Sequence, residues 1–119
     1  MKVRLVDIAH ARSGDKGDTA NVGVIALQPN WYPLIDAHLT RDRVRAHFAG
    51  VITGDVERYA LPNLNALNFL LHGALDGGGT LSLKTDAQGK VFSTAMLRMV
   101  LDIPDDRAAA LGLPAAPVA

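Results

Sequence analysis

The chain contains no cysteine, which removes disulfides, thiolate nucleophiles, zinc ribbons and iron–sulfur ligation from the functions open to it. It carries no excess of either charge, with twelve Lys and Arg against twelve Asp and Glu. A protein that tracks phosphates needs a surplus of basic residues on one face, so nucleic acid is not an expected partner. A net charge of zero also does little to oppose self-association, and a homo-oligomer is expected. No apolar run approaches the ~18 residues that a membrane-spanning helix requires. The opening residues, MKVRLVDIAHARSGDKGD, are too charged and too short in apolar character for a signal peptide. A cytoplasmic location without membrane contact is the expectation. The four histidines, His10, His38, His47 and His72, show no H-E-x-x-H or similar ligand spacing. Neither a metal nor a cofactor is expected.

What the chain does have is 119 residues of which 49% are hydrophobic, enough for one core and too few for two. Residues 2–9 (KVRLVDIA) read as a strand, and residues 10–18 (HARSGDKGD) as a loop with two glycines and repeated charge reversals. Residues 19–27 (TANVGVIAL) are β-branched and read as a buried strand. Thr40 is a good N-cap for a helix over RDRVRAHF, with Val44 and Phe48 inward. DVERYALP alternates Val56, Arg58 and Ala60 with Glu57, Tyr59 and Leu61, the pattern of a strand ending before Pro62. Asn63 caps an expected helix over LNALNFLLHGAL, which Gly77–Gly79 would stop. On that helix Asn65, Asn68 and His72 share one face, and Leu64, Leu67, Leu70 and Leu71 another.

TLSLKT (80–85) reads as a strand, DAQGK as a turn and VFSTAM as a short helix. A closing strand runs through Met99, Leu101 and Ile103; one helix over 90–101 is its competitor. Residues 1–104 then form the domain, and residues 105–119 an Ala- and Pro-rich loose tail. The fold class is α+β: one mixed or antiparallel sheet, helices packed on one face, in a ferredoxin-like arrangement.

The chemistry concentrates in His10–Asn21. RSGDKGD places Arg12, Ser13, Asp15, Lys16 and Asp18 within seven positions, more charge than a turn uses. Glycines let backbone N–H groups face an anion, and Arg12 with Lys16 can clamp a carboxylate or phosphate. Asp15, Asp18 or His10 are the candidate general bases. The bland counterpart is a self-paired ionic loop with Arg12–Asp18 and Lys16–Asp15 contacts. The segment is not a phosphate loop, since its glycines stand three apart and no Ser or Thr follows the lysine. Ser13 lacks the G-x-S-x-G elbow. Asn21, Asn65 and Asn68 can orient a polar group, and Gly77, Gly78 and Gly79 allow close approach of a ligand or another chain.

The order AHARSGDKGDTANVGVIA, then RYALPNLNALNFLLHGALDGGG, then LKTDAQGK resembles the C-terminal domain of the acyclic terpene utilisation protein AtuA, over roughly residues 4–103. The resemblance implies a ferredoxin-like α+β fold. It also implies bacterial breakdown of branched acyclic terpenoid and related acids through acyl-CoA thioesters. In the full-length family protein a much larger N-terminal domain precedes this one. Here a separate chain is expected to supply that domain, or this copy works without it. The resemblance assigns no catalytic residue.

Three functions fit these observations. The first is an accessory or ligand-binding subunit that takes a small anionic molecule and docks a larger partner of the AtuA N-terminal type. The second is a small hydratase- or lyase-type enzyme acting on a carboxylate or thioester by proton transfer, with Asp15, Asp18 or His10 as base and Arg12 or Lys16 as clamp. The third is a purely structural oligomerisation module.

Overall fold

The computed structural model describes residues 1–16, 18–74 and 89–116, with the backbone alone at 15, 16 and 89–91. Its strands form two antiparallel sheets among the described residues. The chain begins with β1 (Lys2–Arg4), which pairs with β6 (Val100–Asp102) through Lys2–Asp102, Val3–Leu101 and Arg4–Val100. The expected strand over 2–9 is therefore interrupted. Leu5–Ile8 is a single helical turn, α1, because Leu5 and Ile8 lie three apart and both point into the core at 0% exposure. Arg4 and Asp7, spaced alike on the wet side, hydrogen-bond at 2.8 and 3.0 Å.

The second sheet runs β2 (Ala9–Lys16), β3 (Thr19–Ala26), β5 (Ala66–Leu71), β4 (Val56–Leu61) in that spatial order. The expected loop at 10–18 is a strand for most of its length. It pairs residue for residue with β3, from Ala9–Ala26 to Lys16–Thr19. The reason lies in its small side chains. Ala9 and Ala11 face inward, and Ser13 Oγ accepts from the Ser93 backbone N–H at 3.1 Å. A helix can thus lie close over the strand, and that helix is α4 (Gly89–Leu97), which packs chiefly on β2 and β3. The helix expected in VFSTAM is confirmed within it, and the single helix over 90–101 is not formed, since the chain is extended again at Val100.

The expected helix over 64–75 is the main correction. Pro62–Leu64 is one 3-10 turn and Asn65 takes the left-handed conformation at φ 52°. That conformation is one asparagine tolerates better than most residues. The chain then runs extended as β5 between β3 and β4. Leu67, Phe69 and Leu71 are buried at period two, while Asn68 and Leu70 lie on the opposite face. Leu67 and Leu71 satisfy both a helical and a strand period. Two flanking strands with open hydrogen-bonding edges select the strand.

The cap and strand read around Thr40 and Val56 are observed. Thr40 caps α3 (Arg41–His47), its Oγ1 accepting from the Arg43 N–H at 3.2 Å. Before it, α2 (Tyr32–His38) is tied to β4 by Arg58, which donates to the Leu39 carbonyl at 3.1 Å and to Asp36. The stretch expected as a loose tail contains α5 (Asp105–Leu111). Ala108 is fully buried, and Trp31 Nε1 donates to the Leu111 carbonyl at 2.9 Å. The strand expected at 80–85, most of the DAQGK turn and Gly77–Gly79 lie outside the described residues.

The α+β ferredoxin-like class is the one observed. One face of the four-stranded sheet carries Ala11, Val22, Val24, Phe69, Leu71 and Val56 into the core. Its other face is uncovered by the described residues, and the candidate site is there. Among the described residues no helix is long and apolar enough to cross a membrane.

Candidate functional site

Strand pairing sets the open face in rows. Arg12, Gly23, Asn68 and Tyr59 stand side by side across the four strands. The next row is Gly14, Asn21, Leu70 and Glu57; on the other side runs His10, Ile25, Ala66 and Leu61. Neighbouring strands are about 4.8 Å apart, so Arg12 and Asn68 are separated by about 10 Å with only Gly23 between them. A Cβ placed on Gly23 would lie 3.9 Å from both the Arg12 carbonyl and Asn68 Oδ1. The glycine therefore leaves a trough whose walls are an arginine and an amide. A groove of about 330 Å³ occupies this position, lined by Arg12, Gly14, Asn21, Gly23 and Asn68 and closed at one end by Ile25, Leu61 and Leu64. Those three side chains are 37%, 41% and 65% exposed.

Arg12 makes no ion pair with Asp18 or any other described carboxylate. The self-paired loop considered from sequence is thus missing its Arg12–Asp18 contact. A guanidinium unpaired with any described carboxylate, over a glycine floor, can receive a carboxylate through two parallel hydrogen bonds. Of the residues singled out in the sequence, the fold brings Arg12, Asn21 and Asn68 together in this groove. His10 lies on the same face one row beyond, exposed beside Ile25. Ser13 points the other way, onto α4. Asn65 shapes the β4–β5 turn, its carbonyl accepting from the Ala26 N–H at 2.9 Å. Asp18 sits at the hairpin end, where its carbonyl accepts from the Ala74 N–H at 2.9 Å. The side chains of Asp15 and Lys16, and Gly77, Gly78 and Gly79, lie outside what is described.

The polar end of the face joins His72, noted in the sequence beside Asn65 and Asn68, to three residues that the sequence did not single out, Thr19, Glu57 and Tyr59. Thr19 Oγ1 is 3.1 Å from His72 Nδ1, His72 Nε2 meets Glu57 Oε2, and the Tyr59 hydroxyl donates to Glu57 Oε1. Donation first from Tyr59 and then from His72 holds the Glu57 carboxyl below the usual carboxylate range, and the same bond raises Tyr59. For Glu57 and Tyr59 the sequence signal was the alternation in VERYAL, which places Glu57, Tyr59 and Leu61 on one face once the strand is recognised.

Carboxylates depressed in the folded state contribute stability that is fully present above their unfolded values and lost as pH falls through the folded ones. Glu57 is one such group. Asp55 is another, held down first by the Val56 N–H and then by Arg41 and Arg45. Asp105, bonded to the terminal ammonium, is a third. The urea midpoint is therefore expected to be flat from about pH 7 to pH 5 and to fall below about pH 4. Glu57→Gln should shrink that acid-side fall. An identical profile for the variant would show that the Glu57 bonds contribute nothing to it.

A family model described as the AtuA ferredoxin-like domain matches residues 3–102. No significant match to a curated protein or to a solved structure is found. The family match runs from within β1 to the end of β6 and takes in every strand of the open face, so the chain belongs to the AtuA ferredoxin-like domain family.

Proposed function

We propose that the protein is an accessory, ligand-binding subunit whose open sheet face takes a small amphipathic anion. The carboxylate sits over Gly23 between Arg12, Asn21 and Asn68, and the hydrocarbon lies along Ile25, Leu61 and Leu64. The observation that carries this reading is Arg12, paired with no described carboxylate, in a glycine-floored groove with an apolar end. In this proposal the ligands are branched acyclic terpenoid or related acids and their acyl-CoA forms, handled in the bacterial cytoplasm, a reading consistent with the AtuA-type family. Docking to a larger chain of the AtuA N-terminal type, and self-association, belong to the same proposal. They are supported by the exposed apolar residues at the end of the sheet.

Calorimetric titration with a branched acyclic terpenoid carboxylate and the matching alcohol tests the groove. The alcohol is expected to bind more weakly, and Arg12→Ala to weaken carboxylate binding about 10- to 100-fold, the loss of about 1.5–3 kcal/mol from charged hydrogen bonds. Arg107→Ala, on α5, should bind as the parent does. Equal affinity of Arg12→Ala and the parent would end the proposal. Co-purification from the native host tests docking, with a larger chain retained on the tagged protein as the expected outcome and recovery of the chain alone as the contrary one.

A further inference from the structure

We propose that Thr19, His72 and Glu57 form an acyl-transfer centre at the polar end of the same face, acting on esters or thioesters of the acid that the groove holds. The substrate class rests on the ligand reading above; the geometry of the centre does not. Thr19 stands on β3, Glu57 on β4, and His72 follows β5 directly, so three separate strand ends converge on one imidazole. Both Glu57 oxygens are engaged, one by Tyr59 and one by His72. The carboxylate is an acceptor, so Nε2 carries a ring proton; in the neutral ring Nδ1 then presents its lone pair to the Thr19 hydroxyl, 3.1 Å away. Hydroxyl, imidazole and carboxylate in this order are the parts of an activated nucleophile, its base and the group that orients the base.

The backbone under His72 is built to hold it. Gly54 N–H donates to the His72 carbonyl at 2.9 Å, and His72 N–H donates to the Asp55 carbonyl at 2.9 Å. A Cβ on Gly54 would come within 2.7 Å of His72 Cβ, so the two loops meet at backbone distance. Thr19 and Asn21 lie on one face of β3 two residues apart, about 7 Å along the strand. Thr19 is four residues, about 14 Å, along β3 from Gly23, so an ester reaches it with its acyl chain lying over Gly23 and its carbonyl beyond Asn21.

In the reaction Thr19 Oγ1 bonds to the acyl carbonyl carbon while its proton passes to His72 Nδ1. Glu57 pairs with the imidazolium, and Asn21, the next residue along the same face of β3, is the amide donor on the oxyanion's side. The carbon–sulfur or carbon–oxygen bond then breaks, and the thiol or alcohol leaves with the proton from His72. Water attacks acyl-Thr19, gives its proton to His72, and releases the carboxylic acid and the free hydroxyl. No oxidant or further reactant is needed.

Incubation with p-nitrophenyl butyrate, followed by intact-protein and peptide mass spectrometry, tests the centre. One butyryl group on Thr19 with nitrophenolate release is expected. Thr19→Val and His72→Gln should lower the acylation rate about 100-fold or more, and Thr19→Ser should retain it. Glu57→Gln should lower it about 10-fold and shift the pH–rate profile. Each variant's melting profile separates lost chemistry from lost folding. Acylation elsewhere, no acylation, or a Thr19→Val protein that reacts like the parent would overturn the inference. The two readings fail separately: Thr19→Val should still bind the free carboxylate, and Arg12→Ala should still be acylated by the neutral ester. Carboxylate binding without acylation sinks the centre alone, and acylation with Arg12-independent binding sinks the ligand groove alone.

Discussion

Replacing Phe69 with alanine is expected to destabilise the protein by about 3–5 kcal/mol, the largest loss predicted for any single side chain here. Phe69 is 0% exposed on β5, an interior strand that pairs with β3 on one side and β4 on the other. It stands between Val22 and Arg58 in the sheet, beneath the helical layer, where the surroundings are held by two hydrogen-bonded strands and cannot collapse into the space left behind. The neighbouring Leu70→Ala provides the contrast, because Leu70 lies on the open face and is only partly buried. Its loss should be about 1 kcal/mol. Urea unfolding of both variants at neutral pH checks the pair. Comparable losses at 69 and 70 would contradict the strand, since only alternation puts consecutive residues on opposite faces.

Gly73→Ala comes second, at about 3 kcal/mol. Two causes combine. Gly73 has φ +69°, a region that costs an L-residue about 1–2 kcal/mol. Its added methyl would also lie 2.2 Å from Thr53 Oγ1 and 2.8 Å from the Gly54 nitrogen, an overlap of the kind that costs about 1–3 kcal/mol. The strain acts where the Thr53–Gly54 loop meets the His72–Gly73 loop, linked by the Thr53 N–H to the Gly73 carbonyl at 3.3 Å. Because His72 is seated by the same contacts, the variant should also broaden and shift the His72 imidazole resonances in NMR spectra. Gly112→Ala has φ +65° but open space around it, so it should cost only the backbone share. If Gly73→Ala cost no more than Gly112→Ala, the loop contact would carry no weight.

These two positions show where reading from sequence succeeds and stops. Val22, Val24, Val56 and Leu101 lie buried in strands that their alternation and branching announced. Thr40 capped the helix its residue type predicted. Local rules sufficed because each of these segments prefers one conformation and one face. The HARSGDK segment misled because charge and glycine are the signs of a loop, yet the small residues Ala9, Ala11 and Ser13 alternate with His10, Arg12 and Gly14 as in a strand. LNALNFLL misled because its leucines satisfy two periods at once. The Ala-rich segment after Pro104 is too short to be a stable helix alone. It is helical because Ala108 and Trp31 dock it.

For the site, residue types alone identified Arg12, Asn21 and Asn68 as ligand candidates. They could not identify Thr19, Glu57 and Tyr59 as partners of His72, because those contacts span 53 and 15 residues of chain for Thr19–His72 and His72–Glu57.

By itself, then, the sequence determined the absence of thiol chemistry, the balance of charge and the α+β class. The tertiary structure alone decided that the charged segment is an edge strand in the described sheet, that the leucine-rich segment is an interior strand, and that Arg12 and Asn68 face each other across Gly23. The physical reason is that strand pairing is non-local: which face a side chain occupies, and which residues stand opposite it, are set by hydrogen-bond register with segments tens of residues away.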